Sequence, residues 1–334
     1  MPASSALVLA ILDAIEEPAL IVDSGKVTAA NQAAKTLLSS TIVGRDLRLA
    51  IRHPLALETI VAGKKSEVDL VGIGGADRPW HLSVRPLAGG SMLVRLADRS
   101  AVQAAERMRT DFVANASHEL RTPLATIIGY AETLAEDGPV DEVMRAGFSA
   151  TIQAEARRML RIIEDLMSLS RIEADRFVAP DERVDLGDVV RLSVEHAAKQ
   201  AEGRSCRIET SIQPDLPQVA GDFGQLLQLV DNLVGNALRY GCNDRACVVK
   251  VSVTAEGSRL NLQVADQGDG IPPEHLPRLT ERFYRVDSAR SRESGGTGLG
   301  LAIVKHIVER HRGQLEIKSA PGRGMEVTVS LPVD

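Results

Sequence analysis

Three regimes of apolar spacing follow one another along the chain. Up to residue 98 the apolar positions come in short clusters and alternations. Ala19-Leu-Ile-Val-Asp23 reads as a short strand, Ser24-Gly25-Lys26 as a turn, and Val27-Thr28 as the start of a return strand. Helical spacing covers Asn31–Leu38 and His53–Ala62. Further strands are predicted at Ser66–Ile73, Trp80–Arg85 and Ser91–Leu96, parted by turns at Gly74-Gly75 and Gly89-Gly90. Trp80, Leu82 and Val84 alternate with polar neighbours, the period of a half-buried antiparallel strand. Residues 1–98 therefore read as a small α/β module.

Residues 99–174 change to helical spacing, with two long stretches at about 100–136 and 141–174 and a break at Gly138-Pro139. Val113, Ala116, Leu120, Leu124, Ile127, Ala131 and Leu134 step by three or four residues, as an a/d seam does. Ile152, Ala156, Met159, Ile163 and Leu166 repeat the pattern. A lone helical hairpin cannot enclose such a face. Two hairpins paired as a four-helix bundle can, which predicts a homodimer.

Residues 183–334 alternate the two periods. Helices are predicted at Asp188–Glu202, Gly224–Arg239 and Leu299–Arg312. Strands are predicted at Val248–Ala255, Arg259–Asp266, Gly313–Ser319 and Gly324–Leu331. Strands grouped with helices to one side predict an α+β sandwich. The fold class is thus multidomain α+β, with domains at 1–98, 99–174 and 183–334.

Composition narrows this little. Only 3% of residues are aromatic, so the cores must rest on Leu, Ile, Val and Ala. A net charge of -6 argues against a general attraction to nucleic acid or anionic lipid. No apolar run approaches the roughly 20 residues of a membrane span. Ala6–Leu12 ends at Asp13 without the basic residues that precede a signal sequence. Cys206, Cys242 and Cys247 form no C-x-x-C pair, and free thiols in a reducing, cytoplasmic compartment are expected.

Four stretches carry candidate chemistry. In Ser117-His118-Glu119-Leu120-Arg121-Thr122-Pro123, Leu120 points into the seam. His118, two residues back, lies about 200° around the helix and faces water. An outward, mostly neutral imidazole is a usable nucleophile. Glu119 can take or hold a ring proton. Thr122, one turn on and on the same face, can position a water. Pro123 removes the hydrogen bond to the Glu119 carbonyl.

Asn232 and Asn236, four apart, share a helix face. The amide oxygen of Asn236 is a hard ligand suited to Mg²⁺ held together with phosphate oxygens. In Asp266-Gln-Gly268-Asp-Gly270, a carboxylate at a strand end can accept a hydrogen bond from an exocyclic amine such as that of adenine. The glycines there let backbone approach a flat ring. Gly295-Gly296-Thr297-Gly298-Leu299-Gly300 feeds a helix start, which offers free N–H groups and a positive dipole end to phosphate. It is neither a Walker A loop nor a dinucleotide fingerprint. The polar segment Arg282–Glu293 before it reads as a lid, with Arg282, Arg285, Arg290 and Arg292 in reach of phosphates.

In this order and spacing the four stretches resemble the H, N, G1 and G2 boxes of the orthodox histidine kinases, over about residues 105–332. Phe112 to Leu124, with Gly129-Tyr130, is similar to the phosphate-starvation sensor kinases. The resemblance implies a dimeric four-helix bundle and a C-terminal sandwich of the GHKL ATPase type, using ATP and Mg²⁺. It implies His118 as phosphoacceptor, Glu119 as its proton-handling neighbour and Thr122 as a residue for dephosphorylating a partner regulator. Asn236 would bind Mg²⁺, with Asn232 beside the phosphates, and Asp266 the adenine amine, with Gly268 and Gly270 shaping that pocket. Gly296, Gly298, Leu299 and Gly300 would close over the phosphates, while Arg239 and Tyr240 would line the site. In Glu281-Arg-Phe-Tyr-Arg285, Thr280 stands where the family usually has Phe.

Residues 1–98 resemble a PAS domain, with Asp98-Arg99-Ser100 as its polar exit. His53 and His81 could in principle hold haem, but surface or otherwise satisfied histidines are the expected reading; there is no cysteine to trap a flavin, and no fixed cofactor is expected. The implied partners are a second copy of the chain and the receiver domain of a response regulator. Two other classes remain in view: a scaffold that binds ATP poorly, and an ATPase of the gyrase or chaperone kind.

Overall fold

The structure, a computed structural model, describes residues 2–75, 77–136, 141–175, 178–242, 247–286 and 296–333. It separates into two compact units, Met1–Val113 and Ala114–Asp334.

The first unit runs α1 (Pro2–Asp13), β1 (Ala19–Asp23), β2 (Lys26–Ala30), α2 (Gln32–Leu37), α3 (Leu47–Ala50), α4 (Pro54–Val61), β3 (Ser66–Val71), β4 (Pro79–Pro86) and β5 (Met92–Asp98). The strands form one antiparallel sheet in the order β2-β1-β5-β4-β3. The alternation read in β4 is borne out, since Trp80, Leu82 and Val84 are buried. The Trp80 indole donates to the Ile73 carbonyl at 2.7 Å, so its one polar atom is satisfied in the core. Asn31 is buried and fully used. Its side-chain oxygen accepts from Ala34 N (2.9 Å), capping α2, and from Ala19 N (3.0 Å), while its amide donates to the carbonyls of Leu12, Ile15 and Glu17. One polar side chain thus ties the end of α1 to the sheet. His53 caps α4 through Nδ1, accepting from Ala56 N at 3.4 Å, and His81 pairs with Asp69 at 2.7 Å.

α5 (Ser100–Ala135) carries the chain from the first unit into the second and continues through Pro123. α6 (Glu142–Ala174) follows, capped by Asp141. The predicted break at Gly138-Pro139 lies outside the described residues. The rest of the second unit is β6 (Arg183–Val184), α7 (Leu186–Glu202), β7 (Cys206–Ile212), β8 (Val219–Ala220), α8 (Phe223–Tyr240), β9 (Cys247–Glu256), β10 (Arg259–Ala265), α9 (Gly300–Arg310), β11 (Gln314–Ser319) and β12 (Met325–Pro332). A five-stranded sheet orders these strands β11-β12-β10-β9-β7, antiparallel except for the parallel pair β7/β9.

The alternation in β9 and β10 sends Val249, Val251, Val253, Leu260, Leu262 and Val264 to the buried face. Leu226, Leu229, Val230, Leu233 and Val234 of α8, with Ile303, Val304 and Ile307 of α9, are buried too. Each such side chain contributes about 1.5–3 kcal/mol on leaving water. β7 escaped the sequence reading because most of its positions are exposed or half-buried, so its apolar signal is weak. α7 begins two residues before the predicted Asp188, because Asp185 caps it by accepting from Gly187 N (2.7 Å) and Asp188 N (3.1 Å).

The cysteines depart from expectation. Cys242 and Cys247 form a disulfide, with Cα atoms 5.5 Å apart, and only Cys206 is free and buried. Spacing along the chain did not reveal that the end of α8 folds back onto the start of β9. Among the described residues no helix is long and apolar enough to cross a membrane.

The start of α8 is secured by His311, whose Nδ1–H donates to the Ile307 carbonyl (2.8 Å) while Nε2 accepts from Asp222 N (3.0 Å). That arrangement needs the neutral ring, and burial holds its pKa below the usual value. A histidine with a lowered folded-state pKa stabilises fully above its unfolded value of about 6.5 and less as pH falls through the folded one. We expect the melting temperature of the full chain to fall between pH 7.5 and pH 5. His311→Ala should be less stable at pH 7.5, by about 1–3 kcal/mol for the orphaned groups, and should show a shallower decline in the same scan.

Candidate active site

A cavity of about 380 Å³ opens in the second unit, within the size range of small-molecule sites. Asn232, Asn236, Arg239 and Tyr240 of α8, Asp266 and Gly270 beyond β10, and Gly296, Gly298 and Gly300 at the entry to α9 all line it. Gly268 and Leu299 do not line it, but each shapes it from behind.

At one end sits Asp266. Its Oδ1 accepts from Gly268 N (2.9 Å) and Met325 N (3.2 Å), which fixes the carboxylate in the cavity wall. Burial raises its pKa, and those two N–H donors oppose the rise. The glycines are required here. A Cβ on Gly268 would lie 2.5 Å from the Tyr240 carbonyl oxygen, and one on Gly270, at φ 70°, only 1.9 Å from that of Ala320.

At the other end α9 begins at Gly300 without a side-chain cap, since Leu299 holds the N-cap position. Its first N–H groups and dipole are therefore available to an anion. Leu299 is fully buried and anchors the loop from inside. Gly298, at φ 74°, accepts from Phe283 N at 2.8 Å. Between the two ends lies the asparagine pair: a Cβ on Gly300 would be 3.0 Å from Asn232 Oδ1 and 3.8 Å from Asn236 Nδ2. Among the described residues Asn236 Oδ1 has a long contact to Arg239 Nη1 (3.5 Å), and an amide oxygen so placed is the kind of hard ligand that suits Mg²⁺ beside phosphate. Burial lowers the pKa of Arg239.

The sequence reading missed a third wall. Arg161, Glu164 and Asp165 of α6 also line the cavity. Asp165 accepts from the Thr297 hydroxyl (2.7 Å), tying the glycine-rich loop to the hairpin, and its burial raises its pKa. Nothing in the polar face of α6 marked these residues. Arg282 pairs with Glu173, and Arg285 donates to the Gly296 carbonyl. Arg290, Arg292 and Gly295 lie outside the described residues.

His118 is exposed, as predicted, and does not line the cavity. Glu119 beside it accepts from Arg158 (3.1 Å) and from Arg285 (3.2 Å), whose own side chain lines the cavity. The Thr122 hydroxyl donates back to the His118 carbonyl at 3.3 Å. The structure thus gathers the nucleotide-binding candidates, Gly268 and Leu299 excepted, around one cavity and joins His118 to its edge through Glu119.

Comparison with known proteins places families on these parts. Residues 108–175 match the His Kinase A (phospho-acceptor) domain, and residues 221–334 the histidine kinase-, DNA gyrase B-, and HSP90-like ATPase domain. Together the two stretches cover more than half of the chain. The phosphate regulon sensor protein PhoR of Pseudomonas aeruginosa is 41% identical over 252 residues, 75% of this chain and 55% of that protein. The sensor protein kinase WalK of Staphylococcus aureus is 34% identical over 243 residues, 72% of this chain and 57% of that protein. The chain thus spans little more than half the length of these relatives. The histidine kinase ThkA, solved in complex with the response regulator protein TrrA, superposes with a TM-score of 0.52 at 16% identity, covering 97% of this chain and 98% of that one, a likeness of fold.

Two glycines with the same backbone sign separate clearance from strain. Gly257 (φ 58°) has nothing within 4 Å of an added Cβ, whereas Gly270 meets the Ala320 carbonyl. Gly257→Ala should cost about 1 kcal/mol from the left-handed conformation alone. Gly270→Ala should cost at least about 3 kcal/mol, because strain and overlap combine. Urea unfolding of the full chain reads the difference.

Proposed function

The chain belongs to the sensor histidine kinases, and we propose that it phosphorylates its own His118 from ATP and passes the phosphoryl group to an aspartate of a response regulator. The observation that carries this reading is the layout of the cavity. A fixed carboxylate at Asp266 faces the uncapped start of α9 across the Asn232/Asn236 pair.

In this reading Asp266 Oδ2 accepts the adenine amine, and Gly268 and Gly270 let the ring lie against backbone. The N–H groups at the start of α9 and the loop Gly296–Gly300 hold the phosphates, with Asn232, Arg239 and Tyr240 beside them. Mg²⁺, held by Asn236 and phosphate oxygens, would neutralise developing charge. An imidazole nitrogen of His118 attacks the γ-phosphorus in line, the bond to the β-phosphate oxygen breaks, and ADP leaves. Glu119 receives the ring proton once Arg285 has let go of it. Positioning supplies most of the acceleration. The receiver carboxylate then takes the phosphoryl group from His118. Thr122 serves the reverse duty, orienting water for hydrolysis of the phosphorylated regulator. The solved pairing of ThkA with TrrA supports a receiver domain as partner.

The helical seam supports a homodimer. Leu124 and Ile163, both seam positions, are 45% and 44% exposed in the single chain, and a second hairpin would cover them. The first unit's five-stranded antiparallel sheet supports a PAS-like module that biases the helices between kinase and phosphatase states. The 41% identical phosphate regulon sensor supports phosphate limitation as the signal. Use of ATP and of a receiver domain would support a cytoplasmic location.

Incubation of the full chain with γ-labelled ATP and Mg²⁺ should leave an acid-labile, base-stable label that His118→Gln abolishes. A label surviving that change would overturn the reading, and phosphate release without any label would point to a gyrase-like ATPase. Asp266→Asn should weaken binding of a fluorescent ATP analogue by about 10–100-fold, the worth of a hydrogen bond to a charged group.

A further inference from the structure

The sulfur atoms of Cys206, Cys242 and Cys247 lie within 4.8 Å of one another, and all three residues are buried. None has a part in the chemistry above. Cys206 and Cys247 face each other in register on the parallel strands β7 and β9. Cys242 follows Gly241, at the end of α8, and is bonded to Cys247 at the start of β9.

The bond sits against the adenine end of the cavity. A Cβ on Gly241 would lie 2.4 Å from the Cβ of Asp266, and one on Gly268 would lie 2.9 Å from the Cα of Gly241. The chain at residue 241 is therefore in direct contact with Asp266 and its turn. Whatever restrains residue 242 restrains the wall behind the carboxylate. In the reducing compartment expected from the sequence, disulfides are rare and those that form are mostly transient, catalytic or redox-sensing.

We propose that Cys242 and Cys247 form a redox-responsive disulfide, with Cys206 as an exchange thiol, and that its state sets nucleotide affinity by clamping or releasing the Gly241 segment against Asp266. The proposal rests on the reading of Asp266 as the adenine contact. Reduction by a dithiol, small or protein-borne, transfers two electrons and two protons. The Cys242–Cys247 bond breaks to two thiols, and the dithiol closes to its own disulfide. Oxidation by a small disulfide such as that of glutathione runs the reverse. Exchange needs no outside oxidant: the Cys206 thiolate attacks Cys247 Sγ, a Cys206–Cys247 bond forms, and Cys242 leaves as thiolate. Burial raises the pKa of Cys206, which keeps this exchange slow near neutral pH.

The test uses the full chain, oxidised with glutathione disulfide or reduced with dithiothreitol. Alkylation and peptide mapping of the oxidised protein should find Cys242 joined to Cys247. Incubation at pH 9 should add a Cys206–Cys247 peptide that Cys206→Ser lacks. The Kd for a fluorescent ATP analogue should rise at least threefold on reduction. The double variant Cys242→Ser/Cys247→Ser should hold the weaker affinity under both conditions. Three free thiols after oxidation would overturn the proposal. So would stoichiometric zinc on the reduced protein with its thiols protected, which would make the cluster a metal site. A Kd that does not change with redox state sinks the coupling alone. Absence of nucleotide binding in both states sinks the adenine reading, and the coupling with it.

Discussion

Around Asp266, stretches of main chain approach one another more closely than any side chain beyond hydrogen permits. A Cβ on Gly324 would fall 2.1 Å from the Asp266 carbonyl oxygen, and Gly241, Gly268 and Gly270 are as tightly hemmed by backbone. This close approach puts the N–H groups of Gly268 and Met325 on one oxygen of a carboxylate that lines the cavity. The rest follows from that anchorage. The end of β10, the exit of α8 and the turn before β12 meet at one point, and the cavity extends from there toward the start of α9. Burial of a carboxylate is costly unless it is hydrogen-bonded, and here the backbone supplies the bonds.

The hairpin contributes more than a platform for His118. Glu119 is held by Arg158 from α6 and by Arg285 from the segment before the glycine-rich loop. Asp165 holds Thr297 within that loop, and Ser168 donates to Gln228 of α8 at 2.6 Å. In this arrangement the acid beside His118 is occupied by cations and the loop is pinned to the helix. Both arginine side chains are nearly buried, at 8% and 7% exposure, and Glu119 is 28% exposed, so breaking either pair alone would leave a partly buried charge uncompensated.

Much of the secondary structure was legible because one face of each element is buried and the other wet. The period-two pattern located β4, β9 and β10, and the 3.6-residue pattern located α5, α6 and α8 to within a residue or two. β7 was missed for the opposite reason: as an edge strand it buries little, and its pairing with β9 is made by backbone that carries no side-chain signature. The short α3 was missed as well, since four residues make little more than one helical turn, too few for a spacing to repeat. The walls supplied by Arg161, Glu164 and Asp165 were invisible because charged residues on a helix face usually meet only water.

The sequence alone determined which residue types stand at which intervals: a histidine on the outer face of a seam helix, amides four apart, an acid at a strand end, and glycines at a helix start. Those follow from helix and strand periods, which are local. Only the tertiary structure decided which of them meet. It placed the asparagines against Gly300, fixed Asp266 in the cavity wall, gave Glu119 to two arginines, and brought Cys242 onto Cys247. Such contacts join residues from five to well over a hundred positions apart, through packing that no local period encodes.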